Sequence, residues 1–237
     1  GDLVPMQCHG AARRDFIPRS LSTDGVQVLE VFSSIQRRSL RRQLKEACLE
    51  FPEFKPGADR LVMGSFGALG NPSSFHHPVV RELRLHCMAA AVNFFRQHLQ
   101  MRTQPMNRRL ELLWDRLCLR HAGDKMSGET AHRDVAKFKL PEDEIFGGWL
   151  NLDAQSQYFH CVPGSHRDVT STNLGGFCRE SDEREMMRVE VPSGHLIIFY
   201  QHILHEVQRE CRVTTSWRLF VGWRLTRSTL SLQDLAA

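Results

Sequence analysis

The sequence predicts a mainly β chain of the α+β class: a jelly roll or a similar double-sheet barrel with N-terminal helices packed on one sheet. Two observations carry that reading. From Leu110 onward the chain breaks into short runs rich in branched and aromatic residues, at 110–120, 130–138, 146–152, 158–162, 187–191, 195–199 and 217–225. Gly, Pro, Asp and Asn punctuate these runs, as turns between strands require. Ahead of them lie two longer stretches, near 34–49 and 79–100, whose apolar residues recur at helical spacing.

A length of 237 residues is enough to bury a sizeable core. The chain reads as a single domain over 1–237, with an irregular arm at 1–20, a helical part at 21–109, the jelly-roll core at 110–225 and a tail at 226–237. The arm is polar and contains Arg and two Pro. Residues 25–31 alternate enough for a strand. Ser33 or Ser34 then caps a helix running to Leu49, with Ile35, Leu40, Leu44 and Ala47 or Cys48 turned inward. Its Arg37, Arg38, Arg41 and Arg42 lie on or near one side. A solvated face is the simpler reading of them, and a patch for an anionic partner the sharper one.

The stretch 51–78 is rich in Gly and Pro and reads as a long loop. Its glycines at 64, 67 and 70 lack both the phosphate-loop Lys and the dinucleotide spacing, so no nucleotide site is expected there. Pro78 opens the second helix, with Val80, Leu83, Cys87, Ala90, Ala91, Phe94 and Phe95 inward.

Composition excludes several classes. Seven Cys are scattered with no C-x-x-C, which argues against a disulfide framework or a zinc knuckle. Reduced thiols point instead to an intracellular (cytoplasmic or nuclear) setting, with a removed targeting segment left open. No apolar run approaches the roughly 20 residues of a membrane span. A net charge of +4 is too small to imply nucleic acid by itself.

The stretch that carries chemistry is Glu129-Thr130-Ala131-His132-Arg133-Asp134-Val135. His132 and Asp134, two residues apart on a strand, share one face. Joined by a distant His, such a pair forms the facial triad of non-haem Fe(II) sites, which leaves coordination positions open. His205 follows the apolar run that begins at Gly194 and completes the set. Arg218 follows thirteen residues later on a strand, where its guanidinium fork suits a carboxylate. Trp149 and Asn151 share a face of another strand; core packing is the simpler role for Trp149, and contact with a bound anion is open to Asn151. A second His-x-Asp, His166 and Asp168, even fits the kinase loop H-R-D-x-x-x-x-N, yet the chain has neither the strand Lys context nor a D-F-G.

Taken in order, these segments resemble the phytanoyl-CoA dioxygenase-like family of the Fe(II)/2-oxoglutarate-dependent oxygenases. The likeness begins at 21–29, the family's opening strand, and continues through His132-Arg133-Asp134 to Gly148-Trp149-Leu150-Asn151-Leu152-Asp153. Val162-Pro163-Gly164-Ser165-His166-Arg167 matches a family turn, which removes His166 from the ligand set. The eleven residues from Gly194 to His205 favour His205 over His202, and Arg218 takes the place of the 2-oxoglutarate Arg. His195 replaces the usual acid after Gly194, and Gln157-Tyr158 replaces Asn-Gly. The last spacing is slightly long, which leaves Arg212 as a weaker rival, and Arg120 and His121 are loose candidates for a further polar contact.

The resemblance implies a double-stranded β-helix of the cupin-like kind, with Fe(II) held by His132, Asp134 and His205. It further implies 2-oxoglutarate at Arg218, with Asn151 and Trp149 nearby, and O2 as cosubstrate. The expected activity is hydroxylation of an unidentified small-molecule or anionic substrate, with release of succinate and CO2. Nucleic acid or protein as substrate has no support in the residues. The loops 51–78 and 165–186 are the expected lid. The alternative class is a non-catalytic barrel that keeps the fold as a binding or scaffold module; an intact triad with its Arg argues against it.

Overall fold

The computed structural model describes residues 13–55, 58, 61–63, 66–100, 108–124, 128–134, 144–168, 178–179, 184–208 and 214–227. In chain order the elements are α1 (Leu21–Asp24), β1 (Val26–Glu30), α2 (Ser34–Cys48), a 3-10 turn (Pro52–Phe54), β2 (Val62–Met63), β3 (Phe66–Leu69), α3 (Pro72–His76), α4 (Pro78–Gln100) and β4 (Arg108–Arg120). There follow β5 (Glu129–Arg133), β6 (Glu144–Asn151), β7 (Gln157–Cys161), a 3-10 turn (Ser165–Arg167), β8 (Cys178–Arg179), β9 (Met187–Val191), β10 (His195–Tyr200), β11 (His205–Val207) and β12 (Ser216–Arg227). Seven strands form one sheet in the order β1-β10-β6-β12-β4-β3-β2, and five form the other in the order β8-β5-β11-β7-β9. Every named pairing is antiparallel. This is the expected double-stranded β-helix, with α2 and α4 against the outer face of the larger sheet.

The alternation within β10 shows why the sheet has two apolar faces. Leu196, Ile198 and Tyr200 pack in the cluster shared with α2 and α4, whereas Ile197 and Phe199 pack in the cluster between the sheets. A central strand covered on both sides must be apolar throughout, and 196–200 are all buried. In β12, Trp217, Leu219, Val221, Trp223 and Leu225 face the helices, which leaves Arg218 and Phe220 to face inward.

Helix α2 starts as the sequence requires. Ser33 and Gln36 close a reciprocal capping box, each side chain accepting from the other's backbone N–H. Leu40, Leu44, Ala47 and Cys48 are buried, but Ile35 is 72% exposed, contrary to expectation. It lies in the first turn, ahead of the buried positions, which begin at Leu40. Arg37 crosses over Gly194 and donates to the Ser193 carbonyl at 2.5 Å. Gly194 has φ of 76°, and a Cβ there would lie 2.2 Å from Arg37 Cδ, so the turn needs glycine for two reasons.

The described residues of 51–78, expected as a loop, include β2, β3 and α3. Strand β3 pairs with β4 and buries Phe66, Ala68 and Leu69. The strand expected over 130–138 ends at Arg133, and its part from 135 lies outside the described residues. Among the described residues no helix is long and apolar enough to cross a membrane.

Candidate metal centre

Pairing between β5 and β11 sets His132 directly opposite His205. Their rings lie 4.3 Å apart between centroids, and both side chains are almost fully buried. Asp134, just past the end of β5, reaches both: Oδ1 is 3.5 Å from His132 Nε2 and Oδ2 is 3.5 Å from His205 Nε2. One ligand atom from each of the three lies within 4.8 Å of the others.

Backbone carbonyls decide which ring nitrogens face the cluster. His132 Nδ1–H donates to the Thr130 carbonyl at 2.7 Å, and His205 Nδ1–H donates to the Ile203 carbonyl at 3.0 Å. A carbonyl only accepts, so each Nδ1 carries the proton and each Nε2 is left with a lone pair in the neutral ring. Such outer contacts are what orient imidazoles toward a metal. Two nitrogens and a carboxylate in a facial arrangement suit a divalent transition ion, Fe(II) among them.

Burial and neighbouring charges pull the groups of the site in different directions. At Asp134 burial favours the neutral acid, but the bond with His132 and the charges of both imidazoles outweigh it and hold the carboxyl below its ordinary range. At His132 burial favours the neutral ring, yet Asp134 and the Thr130 carbonyl raise its pKa overall. Burial dominates at His205 and lowers it. At Glu129 burial raises the pKa; the His132 charge opposes this and Asp134 adds to it.

The triad opens on a cavity of about 330 Å³ between the sheets. Arg218 lies in its wall, 8% exposed, with the guanidinium 3.9 Å from the Trp149 ring centroid and 4.3 Å from that of Phe66. Its Nε–H donates to Gln157 Oε1, and Gln157 is in turn fixed by Asp153 and the Trp217 carbonyl. Stacked and hydrogen-bonded, the fork is held rigid. Arg120 lines the same cavity and is 3% exposed.

The structure thus brings His132, Asp134, His205, Arg218 and Trp149 around one space. Asn151 is apart from it. Its amide donates to the Gln155 and Val191 carbonyls at 2.9 Å each, and its oxygen accepts from Asp153 N–H. The sequence named Glu129 and Gln157 only as neighbours of motif residues and gave neither a role. Only the meeting of separate strands brings them to the site.

The decoy is a packed turn. His166 stacks on Tyr200 at 4.7 Å, and a Cβ at Gly25 would meet its Nδ1 at 2.4 Å. His202 lies in the turn before β11, its carbonyl accepting from Arg133. Arg212 lies outside the described residues.

No family model matches the chain, and no curated protein matches it. Solved structures do. The non-heme α-ketoglutarate-dependent carbocyclase SnoK from nogalamycin biosynthesis is 16% identical, with 90% of this chain and 85% of that chain covered and a TM-score of 0.58. EvdO2 from Micromonospora carbonacea var. aurantiaca, complexed with 2-oxoglutarate, is 12% identical over 91% and 93%, with a TM-score of 0.52. The epimerase SnoN, in complex with Fe3+, α-ketoglutarate and nogalamycin RO, is 15% identical over 88% and 81%, with a TM-score of 0.51. At these identities the likeness is one of fold.

Proposed function

We propose that the chain is a non-haem Fe(II)- and 2-oxoglutarate-dependent dioxygenase acting on a small molecule, with hydroxylation as its outcome. The observation that carries this is the pair of Nδ1–H to carbonyl bonds, which turn both Nε2 atoms toward the Asp134 carboxylate in a cavity that also holds a rigid arginine. The neighbours SnoN and EvdO2, crystallised with α-ketoglutarate or 2-oxoglutarate, support the same cosubstrate here. The finer kinship, to phytanoyl-CoA dioxygenase-like enzymes, rests on the ordered segments of the sequence, as does the reading of 1–237 as one domain.

In this reading His132, Asp134 and His205 hold Fe(II), two neutral imidazoles and one carboxylate leaving positions free. When bound, Fe(II) with 2-oxoglutarate and O2 supplies the oxidising chemistry, and the cosubstrate leaves as succinate and CO2. The chain's own residues bind and orient. Arg218 takes the distal carboxylate of 2-oxoglutarate in its fork, and Trp149 is the platform under that fork rather than a direct ligand. Asn151 fixes the end of β6 through its three backbone bonds. Phe159 and Phe199, stacked at 4.5 Å beside His205, keep water from one side of the triad.

The test is anaerobic addition of Fe(II) and 2-oxoglutarate to the protein. A weak charge-transfer band near ~500 nm is expected, and on admitting O2, slow release of succinate without added substrate. His132→Ala and Asp134→Ala should lose both. A wild type with neither band nor succinate would favour the non-catalytic module instead.

A further inference from the structure

Glu129 is a carboxylate that the iron site does not use. It lies three residues before His132, yet its Oε2 comes within 3.6 Å of His132 Nε2, and its half-buried side chain lines the cavity. Residues three apart on a regular strand point to opposite faces. Here the register against β11 slips between His205 and Val207, so that three steps along β5 match two along β11. An extra residue of this kind re-aims a side chain, and such bulges are frequent beside active sites. It turns Glu129 to the side of the triad.

Among the described residues, the one ion-pair partner of Glu129 is His132. That contact is not a hydrogen bond: 3.6 Å is too long, and with Nδ1–H given to the Thr130 carbonyl a neutral ring offers only a lone pair at Nε2. The other carboxylate of the rim is already matched: Glu206 accepts from Arg13 at 3.1 Å. Arg218 is held by Gln157 and by the Trp149 and Phe66 rings, and neither it nor Arg120 pairs with Glu129. A partly desolvated carboxylate beside a second one is stabilised by a cation brought to it. Tyr158, Phe159, Phe199 and Trp114 line the same cavity, and Tyr158 already holds one cation, Arg188, 4.4 Å from its ring centroid.

We propose that Glu129 is the recognition residue for a cationic group of the substrate, a protonated amine or a guanidinium lying close to the carbon that is oxidised. This rests on the reading of the site as an Fe(II)/2-oxoglutarate centre and narrows its substrate class to organic cations. Anionic substrates are disfavoured by the same carboxylate.

The experiment uses the full chain, loaded anaerobically with Fe(II) and 2-oxoglutarate, and follows the shift of the ~500 nm band on titration with benzylammonium, benzyl alcohol or phenylacetate. Benzylammonium should bind about tenfold or more tightly than the alcohol, and phenylacetate more weakly still. Glu129→Gln should bring the first two to parity, and Glu129→Asp should keep the preference. Equal or absent binding of benzylammonium in the wild type overturns the proposal, as does a preference that survives in Glu129→Gln. A band already lost in Glu129→Gln before any probe is added would make Glu129 a metal ligand and overturn it too. A wild type with no band at all is a different failure, that of the iron site itself.

Discussion

Arg218 occupies a position that a lysine would not fill. Its guanidinium lies over the Trp149 and Phe66 rings, and Gln157 holds its Nε–H. An ammonium keeps the charge but loses the stacking and the fork. Arg218→Lys should therefore weaken 2-oxoglutarate about ten- to hundredfold, read from the band titration, while Fe(II) retention by the triad is unchanged. Equal 2-oxoglutarate affinity in the variant would sink the assignment. Asp24 is a purely structural case. It is buried and accepts from Arg19 N–H at 2.7 Å and from the Arg19 guanidinium at 3.0 Å. Burial raises its pKa, but the Arg19 bonds outweigh this and lower it overall. A carboxylate whose folded pKa is depressed contributes stability that is complete above its unfolded pKa and lost as pH falls through the folded one. Asp24→Asn should cost about 1–2 kcal/mol at neutral pH, and the gap to wild type should close as pH drops below the ordinary carboxylate range, as followed by urea unfolding. At this scale the sequence revealed residues tied to a regular spacing. His132 and Asp134 were visible because a strand alternates; Glu129 was not, because only a slipped register brings it round.

Periodicity made the longer elements legible. The apolar spacing of 34–49 located α2, and Ser33 or Ser34 was its expected start; the structure selects Ser33, which closes a capping box with Gln36. Ser33→Ala should lower the midpoint of urea unfolding by the equivalent of about 1 kcal/mol with an unchanged slope, since one cap bond is lost and no core atom moves. A change of slope would mean that α2 also holds the compactness of another part. Short elements escaped for a physical reason. Strand β3 has four residues and β11 has three, too few for a period to register, and each is specified by its neighbours rather than by its own pattern. That matters functionally, because β11 carries His205 and β3 carries the Phe66 ring over Arg218.

For the whole molecule, the decisive fact is how the site is divided between the sheets. His132 and His205 come from the five-stranded sheet, whereas Arg218 and Trp149 come from the seven-stranded one. Metal alone would brace the smaller sheet, and 2-oxoglutarate, reaching from that metal to Arg218, would tie the two together. Strands could be located in the sequence, but neither their non-consecutive pairing nor this cross-sheet dependence could, because both arise only when the barrel closes. Ligands that bind the folded state stabilise it by mass action, about 2.7 kcal/mol at a hundred times Kd. For a chain of this size that corresponds to a rise in Tm of roughly 5–10 °C. Under anaerobic conditions Fe(II) should give part of this rise, and 2-oxoglutarate the remainder only when Fe(II) is present. A chelator should reverse both, and Asp134→Ala should abolish both. If 2-oxoglutarate raised Tm equally without metal, Arg218 and its surroundings would be binding it independently of the triad, and the coupling between the sheets would have to be placed elsewhere.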